Sequence, residues 1–252
     1  MEEFVYQQLY ELEDTHWWFR GRRAVIWALL RRAGVPSGAR VLDAGCGTGR
    51  NLAEFGRLGR AQGVDPSPQA IDFCRRRGLS EVREASLEAL PFAAGTFDVI
   101  LLTDVLEHVG DDAAALAELR RVAAPGARLV ITVPAYRWLW SAHDDSHHHL
   151  RRYTAPRLRA RVRGAGWRPL VETYFNSLLL APIAAVRLVS RSDSSDYERT
   201  GPQLNRALTV PMRAEAAAIE RGARLPAGVS VGMVAEPGAQ GGGTGGASSR
   251  TR

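Results

Sequence analysis

Val41-Leu42-Asp43-Ala44-Gly45-Cys46-Gly47-Thr48-Gly49 decides the fold: a short apolar run ends in an acid and opens into three glycines at alternate positions. The pattern predicts a strand, a tight turn and the start of a helix. Where every second residue lacks a side chain, the backbone reaches conformations other residues avoid, and a ligand can lie against the main chain. A nucleotide-like cofactor is the natural occupant. Dinucleotide enzymes use G-x-G-x-x-G, whose third glycine permits close helix-strand packing over a pyrophosphate. Here Arg50 stands at that position and crowds the helix start, which weakens a nicotinamide reading. Downstream, Ala61 to Val64 ends in Asp65, an acid placed to take both hydroxyls of a ribose.

Further blocks follow in order. Ser86-Leu87-Glu88-Ala89-Leu90-Pro91-Phe92 reads as a loop after a third strand, and Phe97 to Thr103 as a fourth strand with its exit at Asp104-Val105-Leu106-Glu107-His108-Val109. Leu119 to Val122, Pro125-Gly126-Ala127 and Ile131 to Pro134 read as helix, turn and fifth strand. From about Val35 to Pro134 these blocks resemble the class I S-adenosylmethionine-dependent methyltransferases. His149-Leu150-Arg151-Arg152-Tyr153 is similar to a run after strand five in the bacterial small-molecule subgroup of quinone-biosynthesis O-methyltransferases.

The resemblance implies an α/β fold: a Rossmann-like, doubly wound, mostly parallel seven-stranded sheet with helices on both faces. It also implies S-adenosyl-L-methionine as cofactor and a small-molecule acceptor. On its motifs, Gly45, Cys46, Gly47 and Gly49 support the methionine portion of the cofactor, Asp43 helps hold its amino end, and Asp65 binds the ribose. Thr103 lies near the bound cofactor. The family usually carries an aspartate toward the adenine amino group after strand three, where this chain has Ser86; a hydroxyl cannot supply a charge-assisted hydrogen bond, so backbone groups around Leu87 are the substitute. A non-catalytic module that binds the same cofactor, and a NAD-dependent oxidoreductase, are the alternative readings.

The 252 residues suffice for one large core, and no second full domain is expected. A net charge of +6 raises nucleic acid and anionic membranes as partners. All the basic residues are arginines scattered in pairs and triplets, which reads as coding bias and not as a nucleic-acid surface. The Asn/Asp-Pro-Pro-aromatic grip of DNA amino-methyltransferases is absent, since the site reads Thr103-Asp104-Val105-Leu106. Two cysteines, Cys46 and Cys74, give no disulfide framework and fit a reducing cytoplasm. Cys46 has no partner base in its motif, so it reads as a small turn residue and not a nucleophile. With acids after Met1, no signal peptide is expected.

Residues 1–34 are expected to form a helical lid, in which Trp17 and Trp18 either exclude water from the pocket or pack the helices on the sheet. Arg20 or Arg23 is placed to meet the cofactor carboxylate, though a solvated helix face suits them better. The methyltransferase domain is expected over 35–235, with a helical insertion within 154–228. After strand five, the aromatic and polar stretch from Pro134 to Tyr153 leaves the carboxyl end of a strand, where open α/β sheets place ligands. Tyr136, Trp138, Arg152 and Tyr153 are its candidate substrate contacts, and His108, His143 and His149 the candidate general bases. No metal is assigned, because neighbours among His147-His148-His149 would point to opposite faces of an extended run.

Helices are expected over Pro156 to Ala165 and Leu204 to Arg221, and strands over Trp167 to Tyr174 and Val229 to Ala235. The apolar block Leu178 to Val189 is too short to span a bilayer and carries Arg187; it packs on the sheet or lies at a membrane surface as a peripheral contact. Ser192 to Gly201 reads as a linker, and 236–252 as a disordered tail.

Overall fold

In a computed structural model describing residues 3–189 and 200–238, seven strands form one sheet. They are β1 (Ala39–Ala44), β2 (Gly59–Asp65), β3 (Val82–Glu84), β4 (Phe97–Thr103), β5 (Ala123–Pro134), β6 (Trp167–Phe175) and β7 (Ser230–Pro237), in the order β3-β2-β1-β4-β5-β7-β6. The first five run parallel, while β7 runs antiparallel to both β5 and β6. Strand order reverses beside β1, which opens a crevice at the carboxyl ends of β1 and β4.

Nine helices flank the sheet among the described residues: α1 (Glu3–Leu12), α2 (Trp17–Arg32), α3 (Arg50–Phe55), α4 (Pro68–Arg76), α5 (Asp112–Val122), α6 (Ala142–Ser146), α7 (Ala155–Gly164), α8 (Leu180–Val189) and α9 (Pro202–Glu220). Because a parallel strand is buried on both faces, β4 is a continuous apolar run and not an alternating one. Its side chains divide by parity. Ile100 and Leu102 join Leu116 and Leu119 of α5, whereas Val99 and Leu101 join Ile26 and Leu29 of α2. Helix starts follow their caps: Asp111 accepts from the N–H groups of Ala113 and Ala114 at 3.1 and 3.0 Å, and Ser67 precedes Pro68 at the first position of α4. α9 packs on α2 where Gly21 leaves room for Met212, whose side chain would come within 2.7 Å of an added Cβ.

Two boundaries differ from expectation. Pro125-Gly126-Ala127, expected as a turn, is an irregular opening of β5, whose register against β4 shifts between Phe97 and Val99. β7 runs two residues further, to Pro237, because Trp167 pairs with Pro237 and Gly238 N–H donates to Gly166 O at 2.9 Å. Glu236 and Pro237 therefore belong to the sheet and not to the tail. Residues 239–252 of the expected tail and 192–199 of the expected linker lie outside the described residues.

The glycine turn is held by the end of β2, since the N–H groups of Gly45 and Cys46 both donate to Val64 O, at 2.8 and 2.9 Å. Gly45 sits at φ +81°, and an added Cβ would stand 2.5 Å from Val105 Cγ2 in the exit of β4. Left-handed backbone and a closed neighbour act together there. Gly45→Ala should lose roughly 2–5 kcal/mol of unfolding free energy in urea denaturation, the sum of backbone strain and overpacking; a loss below about 1 kcal/mol would show that β4's exit can retreat.

Candidate functional site

Asp65 closes the crevice from the tip of β2. Its Oδ2 accepts from Gly47 N–H at 2.9 Å and its Oδ1 from Ser67 N–H at 3.0 Å. A carboxylate offers about four acceptor positions, so each oxygen keeps one for a ligand hydroxyl. Gly47 has φ +51° and nothing within 4 Å of where a Cβ would lie. Its bare face therefore opens on the cavity that it lines. Gly49, at φ +84°, serves packing: a Cβ there would meet Leu79 at 2.6 Å and Cys74 Sγ at 2.9 Å.

The turn is also clamped from the N-terminal side. Thr48 donates its hydroxyl to Glu13, and Arg77 reaches Glu13 Oε2 at 3.0 Å and Thr48 O at 2.8 Å. Burial pushes the Glu13 carboxyl up, opposed by the Thr48 hydroxyl and by Arg77. Arg23 is occupied here, donating to Glu13 O at 2.6 Å, so it is not the cofactor's cation. Arg22 is the arginine that lines the cavity, paired with Asp104, whose other oxygen accepts from Thr132 at 3.0 Å. Sequence reasoning placed the charge one or two residues away, because helical phase decides which arginine turns inward.

The cavity measures about 770 Å³ and runs from the glycine turn, Asp65 and Thr103, past Trp17 and Trp18, to the histidines after β5 and the apolar face of α8. The tryptophans pack the helices on the sheet, Trp18 stacking on Phe175 at 6.0 Å, and both also line the cavity. Gly45, Cys46, Gly47, Asp65, Ser86, Leu87 and Thr103 all line it. Asp43 lies behind the turn, 1 % exposed, with its carboxyl pushed up to about 8 by burial against the opposing field of Arg22. Neither Asp43 oxygen has a hydrogen bond, the Leu52 N–H that acts on it falling outside bonding geometry. Ser86 gives its hydroxyl to Glu88 Oε2 at 2.5 Å, and Glu88 also lines the cavity. The carboxylate missing at the usual position is thus present two residues later.

The post-β5 segment divides. Arg152 lines the cavity, but Tyr153 is fully buried with its hydroxyl on Asp112 Oδ2 at 2.9 Å, so it is a core residue and not a substrate contact. Tyr136 stacks on Tyr174 at 5.2 Å and on Trp138 at 5.6 Å, outside the cavity wall, and Trp138 is 55 % exposed. These aromatics build the segment's scaffold. His108, His143 and His149 do come together: His108 and His149 have ring centroids 4.7 Å apart, and His143 and His149 5.8 Å. His147 joins them at 3.9 Å from His143. The extended run expected here is instead the end of α6 and the turn after it, with His148 at φ +55°, and His148 lines the cavity with its neighbours.

Burial sets the charge of this cluster. His108 is pushed down to about 3 by burial and then by His149 and His147; His143 is lowered by burial and then by the same kind of neighbours. Glu107 is fully buried beside them, its two oxygens without a hydrogen-bond partner, and burial with the nearby Asp104 raises its carboxyl well above the usual range. Asp144 differs. Burial raises it, yet hydrogen bonds from His149 and Arg152 outweigh that and hold it well below the carboxylate range.

S-adenosylmethionine fits these residues. The open face of Gly47 is a cradle that a Cβ would fill, Asp65 retains acceptor capacity for a diol, and the buried carboxyl of Glu107, which lines the cavity with neither oxygen hydrogen-bonded, suits a ligand carrying positive charge.

Residues 42–131 match the family described as a methyltransferase domain. A 37.1 kDa protein of a Streptomyces fradiae transposon is 37 % identical over 43 % of this chain, which spans only 34 % of that protein. The ubiquinone biosynthesis O-methyltransferase of Methylocella silvestris is 32 % identical over 182 residues, 57 % of this chain and 70 % of the relative. Among solved structures, a SAM-dependent methyltransferase from Thermotoga maritima superposes with a TM-score of 0.57 at 20 % identity, over 94 % of this chain and all of that one, which speaks for the fold. With the glycine turn, Asp65 and the cavity beside them in place, the chain belongs to the S-adenosylmethionine-dependent methyltransferases.

Proposed function

We propose that this chain moves the methyl group of S-adenosylmethionine to a small, lipid-like acceptor in the cytoplasm. One observation carries the reading: a single cavity joins the glycine turn to a second chamber walled by Trp17, Leu179, Pro182, Ile183 and Val186. An apolar wall of this kind selects an acceptor with a hydrocarbon body over a glycan, whose hydroxyls it could not satisfy. Exposed Leu178 and Val186, at 64 % and 62 %, stand beside that wall and support approach from a membrane surface, while among the described residues no helix is long and apolar enough to cross one. Buried Cys46 and Cys74, both free thiols, support a reducing compartment.

Within this reading Asp65 takes the ribose hydroxyls and Arg22 the carboxylate, with Ser86, Leu87 and Glu88 beside the adenine, while Asp43 acts on the amino end only from behind the turn. Bound there, the sulfonium supplies an already activated methyl. The protein's part is to hold the acceptor in line and keep water out, and such positioning is worth about 7–11 kcal/mol in effective-molarity terms. α1 and α2 supply the cover: Trp17 N–H donates to Asn205 Oδ1 of α9 at 2.8 Å, which ties the lid to the acceptor side.

Calorimetry with S-adenosylmethionine and S-adenosylhomocysteine, followed by mass spectrometry of a treated lipid extract for the gain of one methyl, tests the assignment. Binding without any methylated product would leave a binding module, and heat from NADH alone would refute the reading. Gly47→Ala should cost only about 1–2 kcal/mol of stability, for its left-handed backbone, yet weaken cofactor binding at least tenfold. Asp65→Ala should weaken it roughly 10- to 100-fold, the worth of one or two hydrogen bonds to a charged group.

The neutral imidazoles also give a pH signature. His108 and His16, pushed down to about 3 and about 4 by burial, bind protons more readily in the unfolded chain. Their contribution is intact above the unfolded value near 6.5 and is lost as pH falls from there toward 4 and 3. In urea denaturation the wild type should therefore lose more stability than a His16→Phe, His108→Phe double variant as pH falls below about 6.5, the raised carboxyls of Asp43 and Glu107 acting alike in both; a difference that stays constant down to pH 4 would show that both rings reach water.

A further inference from the structure

We infer that Asn176 anchors the far end of the acceptor: its buried carboxamide hydrogen-bonds an uncharged group that both accepts and donates, an amide above all, at a distance from the atom that takes the methyl. The inference rests on the methyl-transfer reading of the cavity and describes a part of the acceptor that the cofactor half of the site leaves open.

The place of Asn176 follows from the sheet. Because β7 is antiparallel to both β5 and β6, β6 runs with β5, and its carboxyl end lies on the same edge as the glycine turn. Asn176 follows the last residue of β6 and lines the cavity. Three strand spacings separate it from β4, about 14 Å at the usual interval between paired strands. The cofactor spreads the other way, since Asp65 ends β2 and Ser86 follows β3, on the far side of β1. Asn176 therefore belongs to the acceptor's half, well away from the sulfonium.

Its side chain has no structural employment. Asn176 is 1 % exposed, and neither Nδ2 nor Oδ1 has a hydrogen-bond partner among the described residues. Its backbone is left-handed, at φ +57°. Glycine is the ordinary residue in that conformation, and asparagine is tolerated where its side chain bonds locally. Here no local bond is made, so backbone conformation alone does not account for a carboxamide. Asp104 shows the contrast: it too is left-handed and lines the cavity, but its oxygens are engaged by Arg22 and Thr132. A buried amide without partners costs free energy that a bound group removes.

The surroundings fix both its position and its chemistry. Ser177 N–H and Leu178 N–H donate to Glu215 Oε1, each at 2.8 Å, and Val229 N–H donates to Asn176 O at 3.4 Å. Gly228 closes on the strand end, where an added Cβ would stand 2.3 Å from Phe175 O. Backbone pinned on both sides holds the carboxamide in one place. The strand register sets Pro134 and Ser230 in a row with Phe175, and these, with Val229, carry no charge. A charged head group would meet no counter-charge on that wall, whereas an amide matches donor and acceptor at once. α8, which walls the same cavity, rests chiefly on the turn Arg137–Leu139, with Arg187 donating to Leu139 O at 3.1 Å. So lightly held a helix can shift to admit the acceptor, and the group that reaches Asn176 then does so with water shut out. An anchor remote from the reacting atom acts equally in ground and transition states, so it shows in affinity and not in the rate of transfer.

The test uses the full chain saturated with S-adenosylhomocysteine and three eight-carbon probes: octanamide, methyl octanoate, which accepts without donating, and octanoate, which is charged. Asn51, Asn176 and Asn205 are the chain's asparagines, so in asparagine-labelled protein the carboxamide signals of Asn176 are assigned by their loss in Asn176→Gly. Octanamide should shift those signals and bind at least about fivefold more tightly than either other probe, the worth of one neutral hydrogen bond. Asn176→Gly should abolish that preference and weaken octanamide about tenfold. Affinity for S-adenosylhomocysteine should stay within about twofold, and the thermal midpoint should not fall, because glycine accepts the left-handed backbone. A purely structural asparagine would instead lower the midpoint and leave the preference among the probes unchanged.

Equal affinity for the three probes, unmoved Asn176 signals, no binding of octanamide up to its solubility, or an unchanged preference in Asn176→Gly would each overturn the proposal. Those outcomes leave the methyltransferase reading standing. Absence of S-adenosylhomocysteine binding would refute that reading itself. If Asn176→Gly fails to fold, Asn176→Asp, which keeps the shape and removes the donor, takes its place, and retention of the preference there overturns the proposal equally.

Discussion

The hydrogen bond from Gly47 N–H to the Asp65 carboxylate joins the two halves of the crevice on which the molecule's function depends. It ties the turn after β1 to the tip of β2 while leaving acceptor capacity turned outward. This contact requires a left-handed glycine, an acid at a strand's last position, and parallel strands in register, since Ala44 pairs with Val64 one residue before that acid. Everything else at the cofactor end supports it. Gly63 admits Leu52 and Cys46 to the sheet, at 2.8 and 3.0 Å from where a Cβ would stand, and Glu13 with Arg77 clamps the turn from outside.

How much of this was readable in advance depends on the range of the interactions. The sheet, its glycine turn and Asp65 are fixed by neighbours close in sequence and by periodicity, and they came through intact. That Arg22 lines the cavity is not legible in the sequence, because three arginines in four residues differ only in helical phase, and the phase is set by packing on α9. Glu88 lines it two residues beyond Ser86, a placement that the loop's path and not the motif decides. Tyr153 looked like a substrate contact on its polar surroundings, yet its partner is Asp112, 41 residues earlier, a pairing no local pattern announces.

The histidines show the same limit from the other side. His143, His147 and His149 enter one cluster because α6 is a short helix closed by a capping box and not an extended run, and His108 arrives from a different strand. The sequence marks candidates; the fold brings them together and sets Asp144 against one of them. An acid inside a stretch of mixed polar residues carries no outward sign that it will be fully buried between an arginine and an imidazole. Such burial of charge is costly unless every partner is in place, so the Arg152 contact and the His149 contact stand or fall together.

The reversed strand β7 has a consequence for how the molecule is assembled. It lies between β5 and β6, and among the described residues β6 pairs with no other strand. Val229 and Ser230, at its start, also wall the cavity beside Pro134 and Asn176. While the ribosome is still extending the chain short of Ser230, β6 has nothing to zip onto and β5 presents a bare hydrogen-bonding edge. A prematurely stopped message thus yields a product with its cofactor crevice largely formed, its second chamber missing a wall, and a sheet border open to other polypeptides.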